Sequence, residues 1–138
     1  HTIIGGKILS GTTLPLLELA KEIALTHHER YDGTGYPFGL KGEQIPLSGR
    51  IVALTDVFDA LTSDRIYKAA WPIEKTLDYI KEQKGKQFDP MLVDAFMSLS
   101  DKIIDIKIKK ADQIRAKPLL QQIIDGDYNL EAQIERWR

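Results

Sequence analysis

The chain has 138 residues, which suits one domain or a piece of one, and its 43% hydrophobic and 28% charged content is enough for a core with a solvated surface. A formal net charge of −1 provides no global field for nucleic acid or an anionic bilayer, so DNA binding is not expected and any phosphate recognition must come from a local cluster. There is no cysteine, which excludes disulfides and thiolate metal sites. No signal peptide or bilayer-length apolar run is visible, so the expected location is the cytoplasm, with no membrane in this segment.

His1 opens the chain without a methionine, and a fragment or processed product is the expectation. Ile3 to Leu9 reads as a short helix, with Gly5 and Gly6 where a neighbouring helix can approach closely. After Gly11-Thr12-Thr13, Thr13 is an expected cap and Pro15 falls in the first turn of the next helix. Leu16, Leu17, Leu19, Ala20, Ile23, Ala24 and Leu25 give it a broad apolar stripe, and it should run to about His28.

Periodicity stops from Glu29 to Ile45, where Gly33, Gly35, Gly39 and Gly42 with Pro37 and Pro46 mark a long loop. Tyr31, Tyr36, Phe38, Leu40 and Ile45 are too apolar for a solvated linker, so the loop should be ordered. Ser48 is the expected cap of a second strong helix, with Ile51, Val52, Leu54, Val57, Phe58 and Leu61 buried. Further helices are expected from Ile73 to Lys84, closed by Gly85, and from Asp89-Pro90 to Leu99. Ile103 to Ile108 suits a helix or a strand, Leu119 to Ile124 a helix, and Leu130 to Trp137 a last short one. No sustained alternation of strand type appears, so the fold class is all-α.

The reactive side chains crowd between Thr26 and Lys68. His27 and His28 are adjacent near a helix end, where successive positions point about 100° apart. They could not easily chelate one ion together, but could face two ions, or one ion and a substrate. Taken alone, the pair reads equally well as surface histidines favoured by the helix dipole. Asp56 lies in the run IVALTDVFDAL, where a carboxylate is either helix surface or a desolvated group needing a partner such as a metal. Asp59, one turn on, could orient a metal ligand from behind or pair with Arg50. Arg65 and Lys68 suit phosphate, Arg in bidentate fashion, although such pairs are commonly solvated. The loop DGTGYP provides backbone N–H groups and the Tyr36 ring beside the histidines, without the spacing of a Walker loop.

In order and spacing, HHERYDGTGYPFGLKGEQIPLSGRIVALTDVFDALTSDRIYKAAW resembles the C-terminal half of an HD-GYP domain. GKQFDPMLVDAF and HTIIGGKIL are similar to the segments on either side, so the resemblance covers about residues 1–100 and leaves 101–138 as a helical C-terminal extension. It implies a helical bundle of the HD-domain type, truncated at its N-terminus. It also implies a metal-dependent phosphodiesterase that hydrolyses cyclic di-GMP to pGpG or GMP in bacterial signalling. Two or three divalent ions are implied, Fe or Mn foremost, with Mg, Ni or Zn as alternatives. By position, His1, His27, His28 and Asp56 match metal ligands, and His27, His28 and Asp56 are also the implied catalytic set. Gly35, Tyr36 and Pro37 are the GYP itself, and Arg65 and Lys68 match residues that contact the messenger's phosphates. Arg50 and Asp59 are the expected supports behind the ligands.

The adjacent His-Asp pair that names the family does not occur in these 138 residues. The expectation is therefore that this segment alone is inactive and that its parent protein carries a receiver or sensor domain upstream. A homodimer through apolar helix faces is a further expectation. The alternative reading is a non-catalytic module that binds cyclic di-GMP or docks a protein.

Overall fold

A computed structural model describes residues 1–11, 13–64 and 69–116, with side chains to residue 110. The described residues form six α-helices: α1 (Thr2–Ile8), α2 (Pro15–Thr26), α3 (Leu47–Thr62), α4 (Ile73–Glu82), α5 (Pro90–Ser98) and α6 (Ser100–Ala116). There is one 3₁₀ turn at Gly42–Gln44 and, among the described residues, a single isolated bridge between Lys84 and Phe88 in place of any strand. The class is all-α, and no helix of the described residues is long and apolar enough to cross a membrane.

Two compact units divide the chain, His1–Ser98 and Leu99 onward. In the second, the isoleucine run that suited helix or strand is helical, and Lys109 reaches back one turn to Asp105 at 2.7 Å. The helices expected at Leu119 to Ile124 and Leu130 to Trp137 lie outside the described residues.

Within the first unit α3 is the hub: α2, α4 and α5 pack on it, α1 packs on α2, and α4 meets α5. The core is Ile45, Ala53, Leu54, Phe58, Ile80, Phe88, Val93 and Phe96. Phe58 and Phe96 meet edge to face at 5.2 Å, a favoured aromatic geometry. The buried face of α3 is rotated from the expected one. Gly49, Ala53, Leu54 and Phe58 are buried, whereas Ile51 is exposed. The reason lies at Gly49, where a Cβ would fall 2.2 Å from Thr26 Oγ1, so α2 and α3 cross at that glycine. Gly6 plays a similar part between α1 and α2, with Leu25 filling the space a side chain would need.

The expected caps differ as well. Leu14 rather than Thr13 precedes α2, and Pro46 precedes α3. Ser48 lies inside α3, and its hydroxyl donates to Glu22 Oε1 on α2 instead of closing its own helix. Helix α2 ends at Thr26 and α4 at Glu82, each a little earlier than the periodicity alone implies. Asp89 does open α5: its Oδ1 accepts from Met91 N at 2.8 Å while Oδ2 takes Arg50 Nη1.

Candidate functional site

The site begins at the C-terminus of α2. His27 is the cap residue, and its Nδ1 lies 2.8 Å from the Ile23 carbonyl. A carbonyl only accepts, so Nδ1 carries the hydrogen and Nε2 keeps a free lone pair. His28 sits one residue past the cap, in the turn. The two ring centroids are 4.2 Å apart. His1, at the start of α1, joins them, with its Nε2 3.0 Å from His28 Nε2. One ring nitrogen from each of the three histidines lies within 4.8 Å of the others. The expectation that His27 and His28 could not easily share an ion is thus revised, because one ring nitrogen of each, with one of His1, lies within reach of a single ion.

Desolvation is the main cause holding the His28 pKa below its ordinary value, and the neighbouring His27 adds to it. Asp56 acts in the opposite direction. The neutral imidazole favoured by this balance is the form that ligates a metal. Three converging imidazoles suit a divalent ion of the later first transition row better than calcium.

The glycine-rich loop folds back over this cluster. Tyr36 stacks on His28 with ring centroids 5.0 Å apart and planes 15° from parallel, and Tyr36 N donates to the His28 carbonyl at 3.2 Å. What holds the loop is Glu29, which is only 3% exposed. Its carboxylate accepts from Phe38 N at 2.7 Å and Leu40 N at 3.0 Å. Those charge-assisted bonds satisfy backbone donors that no helix or sheet supplies with partners. Gly35 is required by space: a Cβ there would lie 2.3 Å from Arg30 N and 2.6 Å from Glu29 Cα. Pro37 follows Tyr36 through a cis peptide bond.

A cavity of about 350 Å³ opens beside the cluster, with His27, His28, Tyr36, Asp56, Arg30 and Gln87 among its walls. Asp56 reaches it from α3 and is exposed, so of its two expected settings the structure selects the helix surface, facing the cavity. Arg30 Nε donates to Thr34 Oγ1 at 3.0 Å, and Thr34 in turn donates to Asp32 Oδ1 at 2.6 Å, which lowers the Asp32 pKa.

The two expected supports, Arg50 and Asp59, do not pair with each other. Arg50 is committed to buried Asp89 and to the Ile45 carbonyl, 2.9 Å from Nε, so its carboxylate partner is Asp89 rather than Asp59. This pair ties α3 to the start of α5. Asp59 is exposed and accepts from Ser63 Oγ at 3.2 Å. Arg65 and Lys68 lie outside the described residues.

Sequence reasoning missed Glu29 and Gln87. Glu29 carried one usable signal, a carboxylate directly after the histidines and ahead of a run of backbone donors. Gln87 carried none, because its place in the cavity depends on a distant turn.

The match to the HD domain family model covers residues 1–92. A cyclic di-GMP phosphodiesterase of Thermotoga maritima is 49% identical over 113 residues, which are 82% of this chain and 31% of that protein. The cyclic di-GMP phosphodiesterase response regulator RpfG of Xanthomonas campestris pv. campestris is 54% identical over 97 residues, 70% of this chain and 26% of that protein. Among solved structures, a cyclic GMP-AMP specific phosphodiesterase of Vibrio cholerae superposes with a TM-score of 0.55 at 30% identity, covering 71% of this chain and 21% of its own. The chain thus spans a third or less of the length of these relatives. With residues 1–92 matched, it belongs to the HD domain family, as the HD-GYP resemblance of its motifs implies.

Proposed function

We propose that this chain is part of a metal-dependent phosphodiesterase that hydrolyses cyclic di-GMP in the bacterial cytoplasm. The observation that carries the reading is the convergence of His1, His27 and His28 beside a cavity walled by Tyr36 and Asp56. His1, His27, His28 and Asp56 would hold divalent ions, Fe or Mn, two or three in the complete site. Such ions, when bound, neutralise charge on phosphoryl oxygens and acidify water.

The residues of this chain then have separable tasks. The Ile23 carbonyl fixes the His27 tautomer so that Nε2 faces outward. Glu29 and Gly35 hold the loop that seats Tyr36 over His28, which restricts water on that side and orients the ring. Arg65 and Lys68 would hold the substrate's phosphates in line, a positioning role. Because the 138 residues contain no adjacent His-Asp pair, turnover by this segment alone is expected to be poor. A receiver or sensor domain preceding it in the same protein is part of this reading, as the response regulator relative supports.

The test is metal analysis and cyclic di-GMP hydrolysis by the full-length protein, with His27→Ala and Asp56→Ala beside it. Both variants should lose bound Fe or Mn and activity together. Unchanged metal content in both would overturn the ligand assignment. A second substrate, cyclic GMP-AMP, is favoured by the Vibrio structure, and the same assay run with both messengers separates the two. Ile4, Ile8 and Leu16 are exposed on α1 and α2, a surface through which a homodimer could associate; light scattering across concentrations tests it.

A further inference from the structure

Gln87 stands on the wall of the histidine cavity, on a turn that belongs to neither α2 nor α3. Its backbone is pinned from several sides. The Gln87 carbonyl accepts from Tyr31 N at 3.2 Å, and the Lys86 carbonyl accepts from Asp32 N at 2.8 Å. Phe88 is in the core, and Asp89 is locked to Arg50. The side chain is oriented too, because the Tyr79 hydroxyl donates to Gln87 Oε1 at 3.1 Å. Tyr79 is itself braced edge-on against Trp71 at 6.0 Å. With Oε1 engaged as an acceptor, Nε2 presents two N–H donors. Among the described residues no acceptor meets them, and no buried side-chain nitrogen or oxygen lacks a partner, so this nitrogen is open to solvent. Gln87 is one of the residues that line the cavity.

Resting on the function proposed above, we propose that Gln87 is a substrate-binding residue: its amide donates to a non-bridging oxygen of the bound phosphodiester, and Tyr79 is the positioning residue that aims it. A phosphodiester has two non-bridging oxygens. The imidazole wall is where cations would neutralise one of them, and the other needs a donor from a different wall. A neutral amide fills that role without repelling a cation bound at the histidines.

The experiment uses the full-length, metal-loaded protein titrated with non-hydrolysable phosphorothioate analogues of cyclic di-GMP and of 3′3′-cyclic GMP-AMP. Gln87→Met keeps the size and removes the donors, and should weaken binding about tenfold, in line with a hydrogen bond to a charged group. Gln87→Glu places a carboxylate against the phosphate and should weaken it more. Tyr79→Phe should weaken it about threefold. In all three, metal content and melting temperature should stay at the wild-type values, and both messengers should be affected alike. Wild-type affinity in Gln87→Met and Gln87→Glu overturns the proposal. So does loss of affinity for only one messenger, which assigns Gln87 to a base, and so does a loss that follows metal content or melting temperature. If Gln87→Met does not fold, the isosteric Gln87→Glu decides by the same criteria. Failure of the unmodified protein to bind either analogue refutes the function reading itself, and this inference with it.

Discussion

The loop from Glu29 to Ile45 and helix α1 both deliver groups to the histidine cluster, but different physics fixes them. The loop has almost no regular structure, yet its backbone is tied at many points. Glu29 takes two of its N–H groups, Gly42 N donates to the Tyr31 carbonyl at 2.9 Å, and Ile45 is 1% exposed in the core. Helix α1 is regular but only seven residues long, and its cap residue His1 makes no side-chain cap bond. A helix that short is marginal on its own and depends on docking. It docks through Gly6 against Leu25 while Ile4 and Ile8 remain exposed. Order therefore follows satisfied polar groups and burial, and regular secondary structure is a poor guide to which wall of the site is firm.

The sharpest way to break this comparison is Glu29→Ala. It leaves the Phe38 and Leu40 amides without their acceptor and should cost about 3 kcal/mol, from two charge-assisted bonds. Urea denaturation of the full-length protein measures it; a loss no larger than that of a surface substitution would show the loop is held otherwise. Gly35→Ala should follow at about 2 kcal/mol, because the new methyl meets backbone, which yields less readily than a side chain. Its melting curve should shift, and the near-ultraviolet signal of Tyr36 with it.

On the metal side, His27→Ala and His28→Ala should lower metal affinity by at least about tenfold with little change in unfolding free energy. Competition with a chelator reads the affinity. His1→Ala should do less, since His1 is exposed on the weakly held helix. An equal or larger loss at His1 would mean that α1 is as firm as the loop.

The smallest effect concerns Asp32. The Thr34 hydroxyl foremost, helped by its backbone N–H and by Arg30, holds the Asp32 carboxyl below its usual pKa, against the opposing effect of burial. Folding lowers this pKa, so the contribution to stability is present above the unfolded value of about 4 and disappears as pH falls through the lower folded value. Thr34→Ala should move the Asp32 titration up toward the ordinary value by carbon-detected NMR, with almost no change in stability at pH 7.

How much of this was legible beforehand depends on sequence distance. The histidine pair, Asp56 and Tyr36 were legible because their motif packs them into one short span. The all-α class was legible because the apolar spacing of α2, α4 and α5 is helical. The partner of Arg50 was not legible, since Asp89 is thirty-nine residues away and nothing local announces the pair. The buried face of α3 was misread for a related reason: which side of an apolar helix turns inward is decided by where Gly49 lets α2 come close.

By itself, then, the sequence determined which groups are available near the cavity: imidazoles, a carboxylate, a tyrosine and a glycine-rich loop. Those are properties of residue type and short spacing. Only the tertiary structure decided that His27 and His28 converge with His1 and that Glu29 supports the loop. It alone also placed Gln87 on the cavity wall beside the hydroxyl of Tyr79. The physical reason is that these are consequences of where helices stop and cross, and of which buried donors remain to be satisfied once they have.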